Sequence, residues 1–109
     1  MSETATAVQQ IFDGMPERLN KGAAQGLDCV IQYELTGEGG GSHHTVIKDG
    51  SCEVVEGTHA KPSMTVTMDA SDFVDMTQGR LDGMTAFMSG KLKVSGDMGL
   101  AMRLQTLFA

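Results

Sequence analysis

The strongest constraint on how this chain can fold is a run of alternating apolar and polar side chains. From Leu27 to Leu35 every odd position is apolar, and Asp28, Gln32 and Glu34 stand between them. Because successive side chains of a β-strand point to opposite faces, this period predicts a strand with one buried face. The chain therefore has to build a sheet and cover one side of it.

Four more segments are predicted as strands, at 43–48, 51–56, 63–68 and 91–94. Asp49-Gly50 predicts a tight hairpin between the first two, because glycine accepts the positive φ of such turns. Met64, Val66 and Met68 share the apolar face of the third. The lysines of Lys91-Leu92-Lys93 are typical of an edge strand, where charge opposes edge-to-edge association.

Helices are predicted on both sides of these strands. Val8, Ile11, Phe12 and Met15 are spaced as one face of an N-terminal helix that ends before Pro16. A helical turn follows at 16–20 and a loop at 22–26. Further helices are expected from Asp69 or Ser71 to Gln78, at 81–89, and after Asp97. This order predicts one α+β domain over residues 1–109, with its helices on one face of the sheet.

The last predicted helix carries more apolar surface than one sheet can cover. Met98, Ala101, Met102 and Gln105 form one stripe, and Leu100, Leu104, Leu107 and Phe108 form the next. A helix on a sheet needs an apolar arc of little more than 100°. The surplus predicts a partner chain, a membrane surface, a fully buried position or an apolar ligand.

Methionine is concentrated in the C-terminal half. The seven from position 64 onward all lie on predicted apolar faces, at positions 64, 68, 76, 84, 88, 98 and 102. Methionine is unbranched and polarizable, so it adapts to guests of varied shape, although an ordinary core can use it in the same way.

Charge excludes several functions. A formal net charge of -6 and a pI near 4.8 argue against nucleic acid, which needs clustered Lys and Arg, and allow at most transient contact with membranes. The N-terminal residues lack the pattern of a secretory signal, and Cys29 and Cys52 are expected as free thiols. We therefore expect a cytoplasmic protein.

Candidate polar sites are few. His43 and His44 are adjacent on a predicted strand, so they should point to opposite faces and form no metal site with His59. A Cys-His nucleophilic pair would require the fold to bring a histidine beside a cysteine. Lys91 and Lys93 are solvated edge residues or attract a fatty carboxylate or phosphate head group. Gln105 either binds a ligand head group or lies at the domain surface.

The segment from Asp69 to Met76 and the run from Ala86 to Leu104, with its Gly-Lys-Leu-Lys and Gly-Asp elements, resemble the sterol carrier protein 2 family. The similarity covers essentially the whole chain, which looks like a free-standing bacterial member. It implies about five mainly antiparallel strands, helices on one face and a hydrophobic tunnel between them. It also implies binding of fatty acids, acyl-CoA, phospholipids or sterols without catalysis. His43-His44 departs from relatives that have a bulky apolar residue there.

We therefore expect a non-enzymatic lipid carrier, monomeric or weakly dimeric, that needs no cofactor. The alternative is an interaction or dimerisation module accessory to a lipid or quinone enzyme; hydrolase or metalloenzyme activity is a third hypothesis. The expected ligand-binding residues come from both halves of the chain: Ile11, Phe12, Ile31, Tyr33, Met64, Val66, Phe73, Met84, Phe87, Met88, Met98, Met102 and Gln105.

Overall fold

Strands and helices follow one another along the chain as an α+β domain. The computed structural model describes residues 3–107, apart from the side chains of residues 104–106. The strands in this range are β1 (Asp28–Thr36), β2 (Gly41–Lys48), β3 (Ser51–Glu56), β4 (Met64–Asp69) and β5 (Leu92–Gly96). The helices are α1 (Glu3–Arg18), α2 (Lys21–Ala24), α3 (Ala70–Thr77), α4 (Gly83–Met88) and α5 (Met98–Leu107).

The strands form one mixed sheet in the order β3-β2-β1-β4-β5. The pairs β1–β2, β2–β3 and β4–β5 are antiparallel, whereas β1 and β4 are parallel, with Ile31 opposite Met64 and Tyr33 opposite Val66. A mainly antiparallel sheet of about five strands is therefore confirmed. The segment with the two lysines is an edge strand, as predicted.

The core lies between the sheet and the helices. The alternation in β1 correctly predicts its inner face, on which Cys29, Ile31, Tyr33 and Leu35 are all buried. Phe12 of α1 and Phe73 of α3 cover this face, and both are about 1% exposed. Because burial of a large apolar side chain contributes about 1.5–3 kcal/mol, this layer supplies much of the stability.

The prediction that the first helix ends before Pro16 is wrong, because α1 continues through the proline to Arg18. Proline removes one backbone donor from the helix. Past it, the Leu19 amide still donates to the Met15 carbonyl at 3.1 Å. Met15 and Leu19 are both buried in the core. Their packing on either side of Pro16 holds the backbone helical.

Two other local predictions need correction. Residues 22–26 were expected as a loop, but 21–24 form α2, whose first turn is capped by the Asn20 side chain accepting from the Ala23 amide at 3.1 Å. The helix expected to begin at Leu81 begins at Gly83, because Asp82 accepts from the Thr85 amide and acts as its cap. In both places a capping side chain sets the boundary.

Part of the outer face of the sheet, around Gln32 and His44, is covered by the segment that joins β3 to β4. Gln32 is 2% exposed there, and its amide donates to the carbonyls of His43 and Gly57 at 3.2 and 3.3 Å. Its carbonyl accepts from the His59 amide at 2.8 Å. The His44 ring bonds the Gly57 carbonyl at 2.9 Å. These bonds hold residues 57–59 against the outer face of the sheet.

Candidate functional site

The predicted ligand-binding residues separate into two groups. One group is packed inside the domain: Phe12, Ile31, Tyr33, Met64, Val66 and Phe73 are buried, and Ile11 is partly buried beside them. The other group lies at the surface: Met84, Phe87, Met88, Met98 and Met102 are 43% to 81% exposed. We call this second group the methionine face. The side chain of Gln105 lies outside the described residues.

Aromatic side chains pack against one another at the centre of the buried group. The Phe12 ring stacks on Phe73 with centroids 5.3 Å apart and meets Tyr33 edge-on at 5.4 Å. Burial raises the pKa of the Tyr33 hydroxyl well above its ordinary value. These rings fill the space between α1, α3 and the sheet, so this part of the interior is a packed wall.

The methionine face arises because α4 and α5 each have two apolar sides. On α4, Ala86 is buried, whereas Met84, Phe87 and Met88 follow at i, i+3 and i+4 on an exposed side. This arrangement leaves most of the apolar surface of α4 in solvent.

On α5, Leu100 and Leu107 are buried while Met98 and Met102, one turn apart, are exposed. The surplus apolar surface predicted for the last helix is therefore present. Both helices pack against β5. The methionine face thus flanks the edge of the sheet, where the predicted tunnel would have enclosed these side chains.

Two clefts of about 330 Å³ each open on the surface. One lies between the start of β1 and α5, with Cys29, Leu100 and Arg103 among its lining residues. The other lies between α1 and the turn that follows β1, with His43 and Glu56 on its wall. Both are open clefts, and neither is the enclosed tunnel that the family resemblance implies.

His43 and His44 point to opposite faces of the sheet, as predicted. The His43 ring stacks on Phe12 with centroids 4.2 Å apart, and burial lowers the pKa of His43 despite the opposing charge of Glu56. His44 faces His59 on the outer side. His43 therefore serves as part of the core wall. The sequence did not indicate that His43 would pack against Phe12 of α1.

The two cysteines flank Ile47 in one row of the sheet, Cys29 on β1 and Cys52 on β3. Two strand spacings separate them by about 10 Å, beyond the reach of a disulfide. His43 lies four residues along β2 from Ile47, about 13 Å away, which places it beyond hydrogen-bond reach of either thiol. Burial raises the pKa of Cys29, and raises that of Cys52 to about 11, so both are protonated thiols at neutral pH.

Two features of the described residues bear on the other hypotheses. No helix between residues 3 and 107 combines the length and apolar character needed to cross a bilayer. In the same range, no three His, Cys, Asp or Glu side chains are grouped so that they could hold a metal ion.

Comparison with known proteins identifies the family. The model of the SCP-2 sterol transfer family matches residues 8–109. Hydroxysteroid dehydrogenase-like protein 2 of Xenopus tropicalis is 34% identical over 107 residues, covering 97% of this chain and 26% of that protein. The chain thus spans about a quarter of the length of the curated relatives it matches.

Solved structures agree with this fold. Sterol carrier protein 2 like 2 of Aedes aegypti is 27% identical with a TM-score of 0.74, over 91% of this chain and 94% of that one. The palmitated form of that protein, solved by NMR, is 25% identical with a TM-score of 0.72, over 95% and 91%. On the sequence match and the fold together, the chain belongs to the SCP-2 sterol transfer family.

Proposed function

We propose that this chain is a non-catalytic lipid carrier that binds one fatty acid, acyl-CoA, phospholipid or isoprenoid-like molecule and passes it to enzymes or membranes. The observation that carries the proposal is the methionine face, five large apolar side chains exposed on α4 and α5 in a domain of this family. Such a patch on a protein surface marks a site that something apolar covers.

The proposed binding site has a rigid side and an adaptable side. The packed wall around Phe12, Tyr33 and Phe73 supplies the rigid side. On the other side, the long methionine side chains of α4 and α5 can turn and wrap an acyl chain of varied shape. We propose that the lipid enters between these two helices and the sheet, next to Leu92 and Val94 of β5, which are partly buried.

Burial of the acyl chain supplies enough free energy for binding without an ionic contact to the head group. Burying about a dozen methylenes at about 0.8 kcal/mol each gives roughly 10 kcal/mol before association costs. Association costs of at least about 4 kcal/mol leave up to about 6 kcal/mol, which corresponds to a Kd of tens of micromolar. The palmitated relative from Aedes aegypti supports a fatty acid as the first ligand to test.

The proposed lack of catalysis and the proposed cytoplasmic location rest on the same residues. Cys29 and Cys52 are buried, protonated and distant from the histidines, so neither is an activated nucleophile. Free thiols are typical of a reducing compartment.

The proposal is tested on protein purified under native conditions. Denaturation, extraction and mass spectrometry should identify a bound lipid, and protein stripped of it should take up a fluorescent fatty acid that palmitate displaces. Replacing Met88 and Met102 by glutamine keeps helix propensity and should weaken palmitate binding roughly tenfold, because two apolar contacts are lost.

The matched control is the pair Thr58→Gln and Ala60→Gln, at exposed positions on the far side of the sheet. This variant should bind palmitate as the unchanged protein does. Absence of any extracted lipid together with absence of fatty-acid uptake would contradict the carrier function. Equal loss in both variants would contradict the proposed site.

A further inference from the structure

The inner face of the sheet carries an unpaired hydroxyl. Thr45 on β2 is fully buried, and its Oγ1 has no hydrogen-bond partner among the residues that the structure describes. Buried polar groups in proteins are nearly always hydrogen-bonded, so each exception calls for an explanation. Valine has the same shape and would avoid the cost of burying an unpaired hydroxyl. The hydroxyl of Thr45 therefore indicates a partner from outside the chain.

The strand register places three more polar groups around Thr45. Its diagonal neighbours on the inner face are Cys29 and Tyr33 of β1 and Cys52 of β3. Neighbours of this kind lie about 7–8 Å apart, within reach of a tyrosine side chain. All four residues are buried. We call these four residues the polar cluster.

The polar cluster carries no charge at neutral pH. Burial raises the pKa of the Tyr33 hydroxyl, Cys52 and Cys29 raise it further, and Thr45 lowers it in part. Burial also raises the pKa of both thiols. Surroundings that keep these groups protonated disfavour a carboxylate in the same way. All eight Lys and Arg residues lie at exposed positions, so none of them supplies a buried cation to offset this effect.

The polar cluster is within reach of the proposed lipid path. Thr45 lies opposite Ile31, and Ile31 lies opposite Met64 on its other side. Met64 in turn lies opposite Gly96 at the end of β5. Three strand spacings make this row about 14 Å long, a distance that an extended acyl chain can bridge. The cleft of about 330 Å³ that Cys29 lines gives a second approach to the same place.

We propose that Thr45, with Tyr33 beside it, is a head-group subsite for the uncharged hydroxyl of a long-chain alcohol. A hydroxyl can accept a hydrogen bond from one of these side chains and donate to the other. A few polar groups in an apolar site fix the orientation of a ligand, so the acyl chain extends from here toward β5 and the methionine face. A fatty acid binds in the opposite direction, because its carboxylate stays in solvent. This inference rests on the proposed function and deepens it by naming the head group that the interior accepts.

The test compares two probes with the same chain length, 1-dodecanol and dodecanoate. Each displaces the fluorescent fatty acid from protein stripped of lipid, at pH 8. Thr45→Val removes the hydroxyl and keeps the shape of the side chain. The variant should bind dodecanol about three- to tenfold more weakly, because one hydrogen bond is lost. Its affinity for dodecanoate should stay within about twofold of the unchanged protein, because that head group does not reach Thr45.

Two further variants separate this hydrogen bond from packing. Thr67→Val makes the same change at a half-buried position on the outer face of the sheet and should leave dodecanol binding unchanged. Thr45→Ser keeps the hydroxyl and should bind dodecanol more tightly than Thr45→Val. In urea, Thr45→Val should unfold at no lower concentration than the unchanged protein, because the free protein loses no hydrogen bond.

The outcomes distinguish the subsite from the carrier function. Equal dodecanol binding by Thr45→Val and Thr67→Val overturns the subsite, and so does equal weakening of both probes by Thr45→Val. A lower urea midpoint for Thr45→Val also overturns it, because the hydroxyl would then have a partner in the free protein. Binding of dodecanoate without dodecanol overturns the subsite and leaves the carrier function standing. Failure of the unchanged protein to bind palmitate or either probe would overturn the carrier function itself.

Discussion

Gly96 lies directly before Asp97, the cap of α5. It ends β5 with a φ of 96°, a conformation that L side chains rarely adopt. A Cβ added there would lie 2.6 Å from the Ser63 carbonyl oxygen and 2.9 Å from the Met64 Cα. Because both neighbours are backbone atoms of the adjacent chain segment, they cannot move aside cheaply.

We expect Gly96→Ala to destabilise the domain by about 1–3 kcal/mol, through backbone strain and this clash. Gly14→Ala is the matched control, because Gly14 lies within α1 and an added Cβ there meets nothing within 4 Å. The control should stabilise by about 0.5–1 kcal/mol. Urea unfolding of both variants measures this, and equal effects would contradict the role given to Gly96.

The buried thiols predict how stability depends on alkaline pH. Burial raises the pKa of Cys52 to about 11 in the folded protein from an ordinary value of 9.0, and it raises the pKa of Cys29 in the same direction. Above about pH 9 the unfolded chain loses these protons while the folded chain keeps them, so stability falls as the pH rises toward 11. This stabilising effect is fully present below pH 9.

The melting temperature should therefore decrease between about pH 9 and about pH 11. The decrease should be shallower in Cys52→Ala, which lacks the strongly shifted group. The slopes of melting temperature against pH are compared, because the slope does not depend on how stable the variant is at neutral pH. Parallel slopes in the two proteins would show that Cys52 does not titrate as inferred.

At the scale of elements, some ends of helices and strands are set by residues nearby in the sequence, and others are set by contacts with distant parts of the fold. The strands were predicted to within about two residues because alternation is a local signal. The cap Asp97 was predicted, and Asp69 was one of the two caps predicted for α3, because a capping side chain acts on its own first turn. The passage of α1 through Pro16 depends on the burial of Met15 and Leu19. That contact with the rest of the fold is invisible in a local pattern.

The cap of α5 yields a prediction about the stability of the domain. Asp97→Ala should destabilise the domain by about 1 kcal/mol, because the Leu100 amide loses its acceptor. Asp97→Asn keeps an acceptor oxygen and should cost much less. Urea unfolding compares the two variants, and similar losses would show that the cap is not what stabilises α5.

At the scale of the whole molecule, the strand order separates a tightly packed part of the domain, around the central strand β1, from a less tightly packed part, around the edge strand β5. The parallel pairing of β1 with β4 joins residues more than 30 positions apart, so no local period could predict it. The sequence likewise showed that the methionines lie on apolar faces but not what covers them. Their exposure on α4 and α5 depends on how far those helices stand from the sheet.

This separation predicts unequal exchange of backbone amides. β1 is paired on both sides and its inner face is buried, whereas β5 is an edge and α4 buries Ala86 alone among its side chains. Hydrogen exchange should therefore be faster in α4 and β5 than in β1. Addition of palmitate should slow exchange in the first two and leave β1 unchanged. A uniform response along the chain would contradict this division.

The burial of both native cysteines has a practical consequence. Because Cys29 and Cys52 are shielded, a cysteine placed at an exposed position would be the fast-reacting thiol of the protein. Met102→Cys puts an environment-sensitive dye on the methionine face, and Thr58→Cys puts the same dye on the opposite side of the sheet. The wild-type background thus suits site-specific labelling without removal of either native thiol, and the two dyes would report which side of the domain meets a lipid surface.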